Sequence, residues 1–208
     1  MFKEKFNAWR KEINEHKYLI LLSLFFLACA AVLQYFAGSY VTRIETVPVP
    51  DLILSHLKPV DLGIIFVYGF MLVVITLFAY PLFFKAKDLH IVISQFSLLV
   101  MLREFFVCLT HLQSPAGAIY GHFPSFISLI SFQNDLFFSG HVSVTFLGYL
   151  LFRKEKIGIF FLIASVIMAI TVLLMHLHYS IDVFAAFFIT YGSYKIGEWL
   201  FRKVDQKG

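Results

Sequence analysis

Two short polar stretches in an otherwise apolar chain carry side chains able to do chemistry. His176-Leu-His178-Tyr179-Ser-Ile-Asp182-Val places a histidine four residues before an aspartate, and Asp135-Leu-Phe-Phe-Ser139-Gly140-His141 places another histidine behind a Ser-Gly pair. Four residues are about one helical turn, so a helix through Asp182 would stack its carboxylate over the His178 imidazole. An acid in that place fixes the tautomer of the ring and stabilises its cationic form. Phosphoryl transfer is the chemistry such a set could perform. It needs a nucleophile for phosphorus, an acid for the leaving oxygen, and cationic or N–H donors around the other oxygens. His178 is the candidate nucleophile, with Asp182 as its orienting acid. His141 is the candidate general acid, and later the base for an acceptor hydroxyl. Ser139 and Gly140 fall at an expected helix start, where free N–H groups favour phosphate oxygens, and Arg103 supplies a fixed positive charge. No metal or cofactor is called for by this set.

These residues need a scaffold, and the composition says which. Of the 208 residues 60% are hydrophobic and 14% charged, against roughly a quarter charged in soluble domains. The chain therefore reads as an all-α polytopic membrane protein. Six runs approach or exceed the length of about 20 residues that crosses a bilayer core: Tyr18 to Tyr40, Leu62 to Phe84, Leu89 to Leu112, Phe137 to Phe152, Ile157 to Met175 and Ser180 to Phe201, the fourth and fifth being short. Residues 1–17 form a polar leading segment, 18–201 one helical bundle and 202–208 a short tail. The run from Tyr18 is too long for a secretory h-region and is read as a span, although Leu27-Ala-Cys-Ala30 faintly resembles a cleavage or lipidation site. Cys29 and Cys108 both sit inside apolar runs and read as small buried hydrophobes, with no disulfide framework or CxxC site.

The basic residues form short clusters between apolar runs, with no continuous patch for nucleic acid. Five lie before the first span (Lys3, Lys5, Arg10, Lys11, Lys17), Lys85 and Lys87 follow the second, Arg153, Lys154 and Lys156 follow the fourth, and Arg202, Lys203 and Lys207 follow the sixth. The alternate connections hold only Arg43 and Lys58. The positive-inside rule then makes both termini cytoplasmic. The His176–Tyr179 turn, the Ser139–His141 helix start and the outer half of the third span, with Arg103, all fall at the opposite, non-cytoplasmic surface. That surface belongs to a bacterial inner membrane or to an exoplasmic or lumenal leaflet. Pro48, Pro50 and Pro59 break the first outer connection, leaving Leu52 to Leu57 as a short interfacial piece. In the long outer connection from Gln113 to Leu136, the Phe123 to Phe132 portion is expected in the headgroup layer, which suits a lipid substrate.

FFSGHVSVTF resembles the SGH motif of the type 2 phosphatidic acid phosphatase (PAP2) superfamily, and HYSIDV resembles its HxxxD motif. The nearer likeness is to the sphingomyelin synthase branch, whose D-x-x-x-SGH-T pattern is matched from Asp135 to His141 with Val142 for threonine. Its H-Y-T-x-D-V pattern is matched from His178 to Val183 with Ser180 for threonine, and Arg103 to Pro115 resembles its arginine-to-proline stretch. The resemblance implies a catalytic triad of His141, His178 and Asp182, a phosphohistidine intermediate, a phospholipid donor and a lipid-hydroxyl acceptor such as ceramide. Departures are Gln133-Asn134 where the family has Cys-Gly, and Phe187 where tyrosine is usual. Val172 stands where the broad phosphatase motif has arginine, and no KxxxxxxRP element is present.

Plainer readings stand beside these. Asp135 belongs either to the substrate site or to the cap of the fourth helix. Arg103 either binds phosphate or pairs with Glu104, and Glu104 either structures the bundle or meets a cationic headgroup. Tyr179 is either a substrate contact or core, and His176, His111 and His122 read as bystanders. Two other functions remain open: a lipid phosphatase or phosphodiesterase using water as acceptor, and a bis-histidine haem or metal protein with His141 and His178 or His176 as axial ligands. The topology is checked by a cysteine placed between Gln113 and Leu136. It should react with an impermeant reagent from outside intact cells, and labelling only after lysis would invert the arrangement.

Overall fold

The computed structural model describes residues 2–120 and 135–205, so the expected Phe123 to Phe132 headgroup segment lies outside the described residues. Among the described residues seven α-helices follow in order: α1 (Phe2–Glu15), α2 (Lys17–Val41), α3 (Phe70–Phe84), α4 (Leu89–Leu109), α5 (Gly140–Phe152), α6 (Lys156–Leu174) and α7 (Ser180–Asp205). A π-helical turn, Ile65–Gly69, leads into α3. No strand occurs among the described residues. Among the described residues, four stretches are long and apolar enough to cross a membrane: Lys17–Val41, Ile65–Phe84, Ala86–Leu109 and Lys156–Leu174. Their apolar character follows from lipid having no water to satisfy a backbone, which leaves helices as the spanning solution.

The helices meet through small residues. α2 lies along α4 and buries only Ser23, Ala30, Ala37, Gly38 and Val41, while Leu21, Phe25 and Phe36 face outward. Without a hydrophobic drive between helices in lipid, close backbone approach supplies the contact. At the α5–α6 seam the Phe161 ring occupies the space that a side chain on Gly148 would need: a Cβ there would come within 2.2 Å of it. Leu77, Leu99, Leu147, Phe161, Val172 and Ala186 form the buried centre of the bundle.

From α2 onward, helices consecutive in sequence alternate in direction, so the bundle has two distinct ends. One gathers the C-terminal parts of α4 and α6 with the starts of α5 and α7. It is stitched by Val60 N–H to the Leu174 carbonyl (2.8 Å) and Ile119 N–H to the Met175 carbonyl (2.9 Å). The other end is tied by Trp9, whose Nε1 donates to the Leu82 carbonyl at 2.6 Å, and by Glu155, which accepts from Tyr80 and Lys85. Burial pushes the Glu155 carboxyl up, but those two bonds outweigh it and hold it below its usual range. A cavity of about 210 Å³ opens there between Asp88, Gln95, Glu155, Tyr194 and Glu198. The 13 residues of α5, about 20 Å of helix, separate it from Ser139.

Several element limits differ from expectation. The fourth apolar run is helical only from Gly140, and Asp135 to Ser139 stay outside the helix. The third run ends as helix at Leu109, with Thr110 already extended. Leu52 to Leu57 contains one 3₁₀ turn, Leu54–His56, in which Leu54 is buried while Leu52 remains 81% exposed. Cys29 and Cys108 are free thiols, half-buried rather than buried. Gly148→Ala should destabilise the protein by about 1–3 kcal/mol through overpacking, read as a lower midpoint of thermal unfolding in detergent.

Candidate active site

The turn between α6 and α7 is built by a helix-ending motif. Leu177 N–H bonds the Val172 carbonyl (2.9 Å) and His176 N–H the Leu173 carbonyl (3.0 Å). These are the two bonds of a Schellman motif, with His176 at the left-handed position (φ 54°) that glycine usually fills. His176 is buried, and its Nδ1 meets the Ala116 carbonyl at 3.0 Å. It is a structural residue of the turn, more than the bystander that the sequence suggested.

The motif reverses the chain within three residues and delivers His178 just ahead of α7. Tyr179 closes the first turn, since its carbonyl accepts from Asp182 N–H (3.0 Å) and Val183 N–H (3.3 Å). Asp182 in turn reaches back, its Oδ2 accepting from Tyr179 N–H at 2.9 Å, which is one half of a capping box. The same oxygen lies 3.5 Å from His178 Nδ1. The pair thus forms across the helix cap, with His178 outside the helix instead of stacked on one of its faces. Both side chains are buried, Asp182 completely. Catalytic hydrogen bonds are often long before substrate binds, so 3.5 Å suits an orienting acid.

The second histidine is brought in by α5. Ser139 N–H donates to the Asp182 carbonyl at 3.2 Å, joining the Ser-Gly-His turn directly to the start of α7. The Ser139 hydroxyl is fully buried and makes no hydrogen bond. The His141 ring packs between Phe66 of the π-helical turn and Phe70 of α3, each 4.1 Å away between centroids. It lies near both His178 and Arg103.

Arg103, buried on α4, holds the turn in place. Its Nε donates to the Phe138 carbonyl (2.9 Å), Nη2 to the Asp135 carbonyl (3.1 Å), and Nη1 to the Asp135 carboxylate (2.9 Å) and Glu104 (3.3 Å). The guanidinium lies so close to Gly140 that an added Cβ would be 3.1 Å from Nε. These bonds explain the short α5. Carbonyls that would otherwise need a helix are satisfied by a cation, and a buried backbone acceptor must be satisfied by something. Asp135 is engaged by Arg103 rather than capping α5, and no side chain caps that helix.

His141, His178, Asp182, Arg103, Ser139, Gly140 and Asp135 are therefore assembled at one end of the bundle. Tyr179 is beside them in sequence, but its hydroxyl donates to the Gln113 carbonyl (2.8 Å) and accepts from Val49 N–H (3.0 Å). Burial raises the phenol above its ordinary range, so it remains a donor. His111 meets the edge of Tyr40, and His122 lies outside the described residues.

Two contributors were not read from the sequence. Phe66 and Phe70 are one pair among 26 phenylalanines, with nothing to mark them. Asp51 had a local signal, a Pro-Asp turn opening, but its distant partner had none. Its Oδ2 accepts from Ser180 N–H and Ser180 Oγ, both at 2.8 Å. Burial pushes the Asp51 carboxyl up, yet bonds from Leu54, Ser180 and Ile53 outweigh it and hold it below the usual 3.8. It stays charged through the neutral range. The stability it lends is present above that value and is lost only as pH falls through its lower folded-state value.

A family model described as PAP2 superfamily C-terminal matches residues 134–198, just under a third of the chain. The matched stretch contains His141, His178 and Asp182 and leaves out Arg103. It supports the PAP2 superfamily, whose chemistry is of the lipid phosphatase and phosphotransferase type. No curated protein and no solved structure matches the chain. If Arg103 is the clamp described, Arg103→Lys should fail to reproduce its planar fork. Enzymatic activity should then fall on the order of 100-fold, whereas His176→Asn, compatible with the left-handed turn, should stay near wild type.

Proposed function

We propose that the protein is a membrane-embedded phosphotransferase that moves a phospho-alcohol headgroup from a glycerophospholipid to a lipid hydroxyl such as ceramide. The observation that carries this reading is the buried His178–Asp182 pair, with His141 drawn up beside it by the bond between the two helix starts. The full architecture is six spans with both termini cytoplasmic and the site at the non-cytoplasmic surface. In support, the histidine end of the bundle is opposite the end that carries Lys85, Arg153 and Lys156.

The geometry supports the following sequence of steps. Asp182 faces His178 Nδ1, which keeps the proton there and leaves Nε2 as the nucleophile. Nε2 forms a bond to phosphorus as the bond to the diacylglycerol oxygen breaks, and His141 donates a proton to that oxygen. Asp182 offsets the positive charge of the phosphorylated ring. In the second step the acceptor hydroxyl gives its proton to His141 and attacks phosphorus, and the N–P bond breaks. The N–H groups of Gly140 and His141, which lie in the first turn of α5, are suited to the non-bridging oxygens. The Phe66 and Phe70 faces cover part of the His141 ring, and such shielding favours a lipid hydroxyl over water as acceptor. The sequence likeness from Asp135 to His141 and from His178 to Val183 supports the choice of headgroup transfer.

Purified protein in mixed micelles, given phosphatidylcholine or phosphatidylethanolamine with labelled ceramide or diacylglycerol, should produce the labelled phospholipid by mass spectrometry, with the headgroup adduct on the His178 peptide. His178→Ala and Asp182→Asn should each abolish the product while still inserting in membranes. Release of free phosphate or phospho-alcohol alone would identify a hydrolase, and a Soret band in the purified protein would replace both readings with a haem protein.

A further inference from the structure

We infer that Asp51, in the proline-rich connection between α2 and α3, is a positioning residue for the histidine site. This assignment rests on the phosphoryl-transfer reading. Because His178 stands outside α7, no helical hydrogen bond holds it, and its place is set by what anchors the chain on either side. The upstream anchor is local, the Schellman motif through Leu177. The downstream anchor is Asp51, 129 residues away in sequence from Ser180.

The first residue of a helix has an N–H with no partner in its own helix. At the start of α7 that group is Ser180 N–H, and neighbouring side chains do not serve it. The Tyr179 hydroxyl is held between Gln113 and Val49, and Asp182 is turned back to Tyr179 N–H. Asp51 Oδ2 accepts both the N–H and the hydroxyl of Ser180, and a carboxylate at a helix N-terminus is further favoured by the dipole. Asp51 is itself held, since its Oδ1 accepts from Ile53 N–H (2.8 Å) and Leu54 N–H (3.0 Å), and its carbonyl accepts from Ser55 N–H (3.0 Å). Each carboxylate oxygen therefore has two donors, one set in its own loop and one at the catalytic turn. Leu54 extends the link by packing with Leu136 and Tyr179.

The consequence is for geometry rather than binding. His178 and Asp182 already stand 3.5 Å apart, so a further loosening of Ser180 would uncouple the acid from the nucleophile. His141, on α5 between Phe66 and Phe70, makes no contact with Asp51 and would keep its place. Losses should therefore fall on kcat.

The test compares full-length wild type with Asp51→Ala, Asp51→Asn, Ser180→Ala and the Asp51→Ala/Ser180→Ala double variant, by hydrogen–deuterium exchange and lipid-transfer kinetics. Asp51→Ala should speed exchange at Tyr179 to Val183 and lower kcat about 10- to 100-fold, with KM changed by no more than about 3-fold. Asp51→Asn, with one carbonyl oxygen in place of two carboxylate oxygens, should fall between. Ser180→Ala should cost less, and the double variant should be no worse than Asp51→Ala, because both act through one contact. If Asp51→Ala does not fold, Asp51→Asn and Ser180→Ala carry the same comparison. Unchanged exchange, or a wild-type kcat per folded molecule in an active enzyme, would overturn the assignment alone. A wild type that processes no phospholipid would overturn the phosphoryl-transfer reading and this assignment with it.

Discussion

The site depends on a buried cation satisfying backbone that is not helical. In a bundle surrounded by lipid, an irregular stretch at membrane depth is tolerated only where its carbonyls find partners inside the protein. Arg103 supplies them, binding the carbonyls of Asp135 and Phe138 and the carboxylate of Asp135 with one guanidinium. The charge is compensated by Asp135, with Glu104 beside it. Removing either member of such a buried pair typically costs about 3–5 kcal/mol, because the survivor is left uncompensated. From that clamp follow the late start of α5, the glycine at position 140 and the exposure of the first N–H groups of α5 toward the histidines.

The two histidines arrive by different means, and the difference has a physical sense. His141 is carried on the first turn of a helix and pinned between two phenylalanine rings. His178 sits in a tight turn that is bounded by a helix end and a helix start. A residue in a turn presents its ring without the constraint of helical side-chain direction, and its acid partner can be offered across the cap. The bond from Ser139 N–H to the Asp182 carbonyl makes the two arrangements one unit. Even small displacements of either helix start would then be felt by both histidines.

The connections at the histidine end of the bundle do more than close the chain. Val49, Asp51, Val60, Gln113 and Ile119 each make a hydrogen bond to the segment from Leu174 to Ser180. The proline breaks at 48, 50 and 59 keep that first connection from continuing as helix, which leaves its N–H and carbonyl groups available for these bonds. A polar loop and the turn that carries His178 thus satisfy each other's backbone groups.

How much of this was legible depended on range in sequence. The helical, membrane-bound class followed from composition, and the pairing of His178 with Asp182 from a spacing of four. The partnership of His141 with them was inferred from two motifs falling on one side of the membrane. Local physics decides the first two, through the hydrophobic length of a span and a helix cap across which Asp182 reaches back to His178. What the tertiary structure decided was where backbone leaves the helix and which distant group receives it. Arg103 holding a turn 32 residues away, Asp51 serving Ser180, and Phe66 with Phe70 enclosing His141 depend on helices packing in three dimensions. No periodicity records them, because a carboxylate or a guanidinium satisfies a buried N–H or carbonyl equally well from any point in the chain.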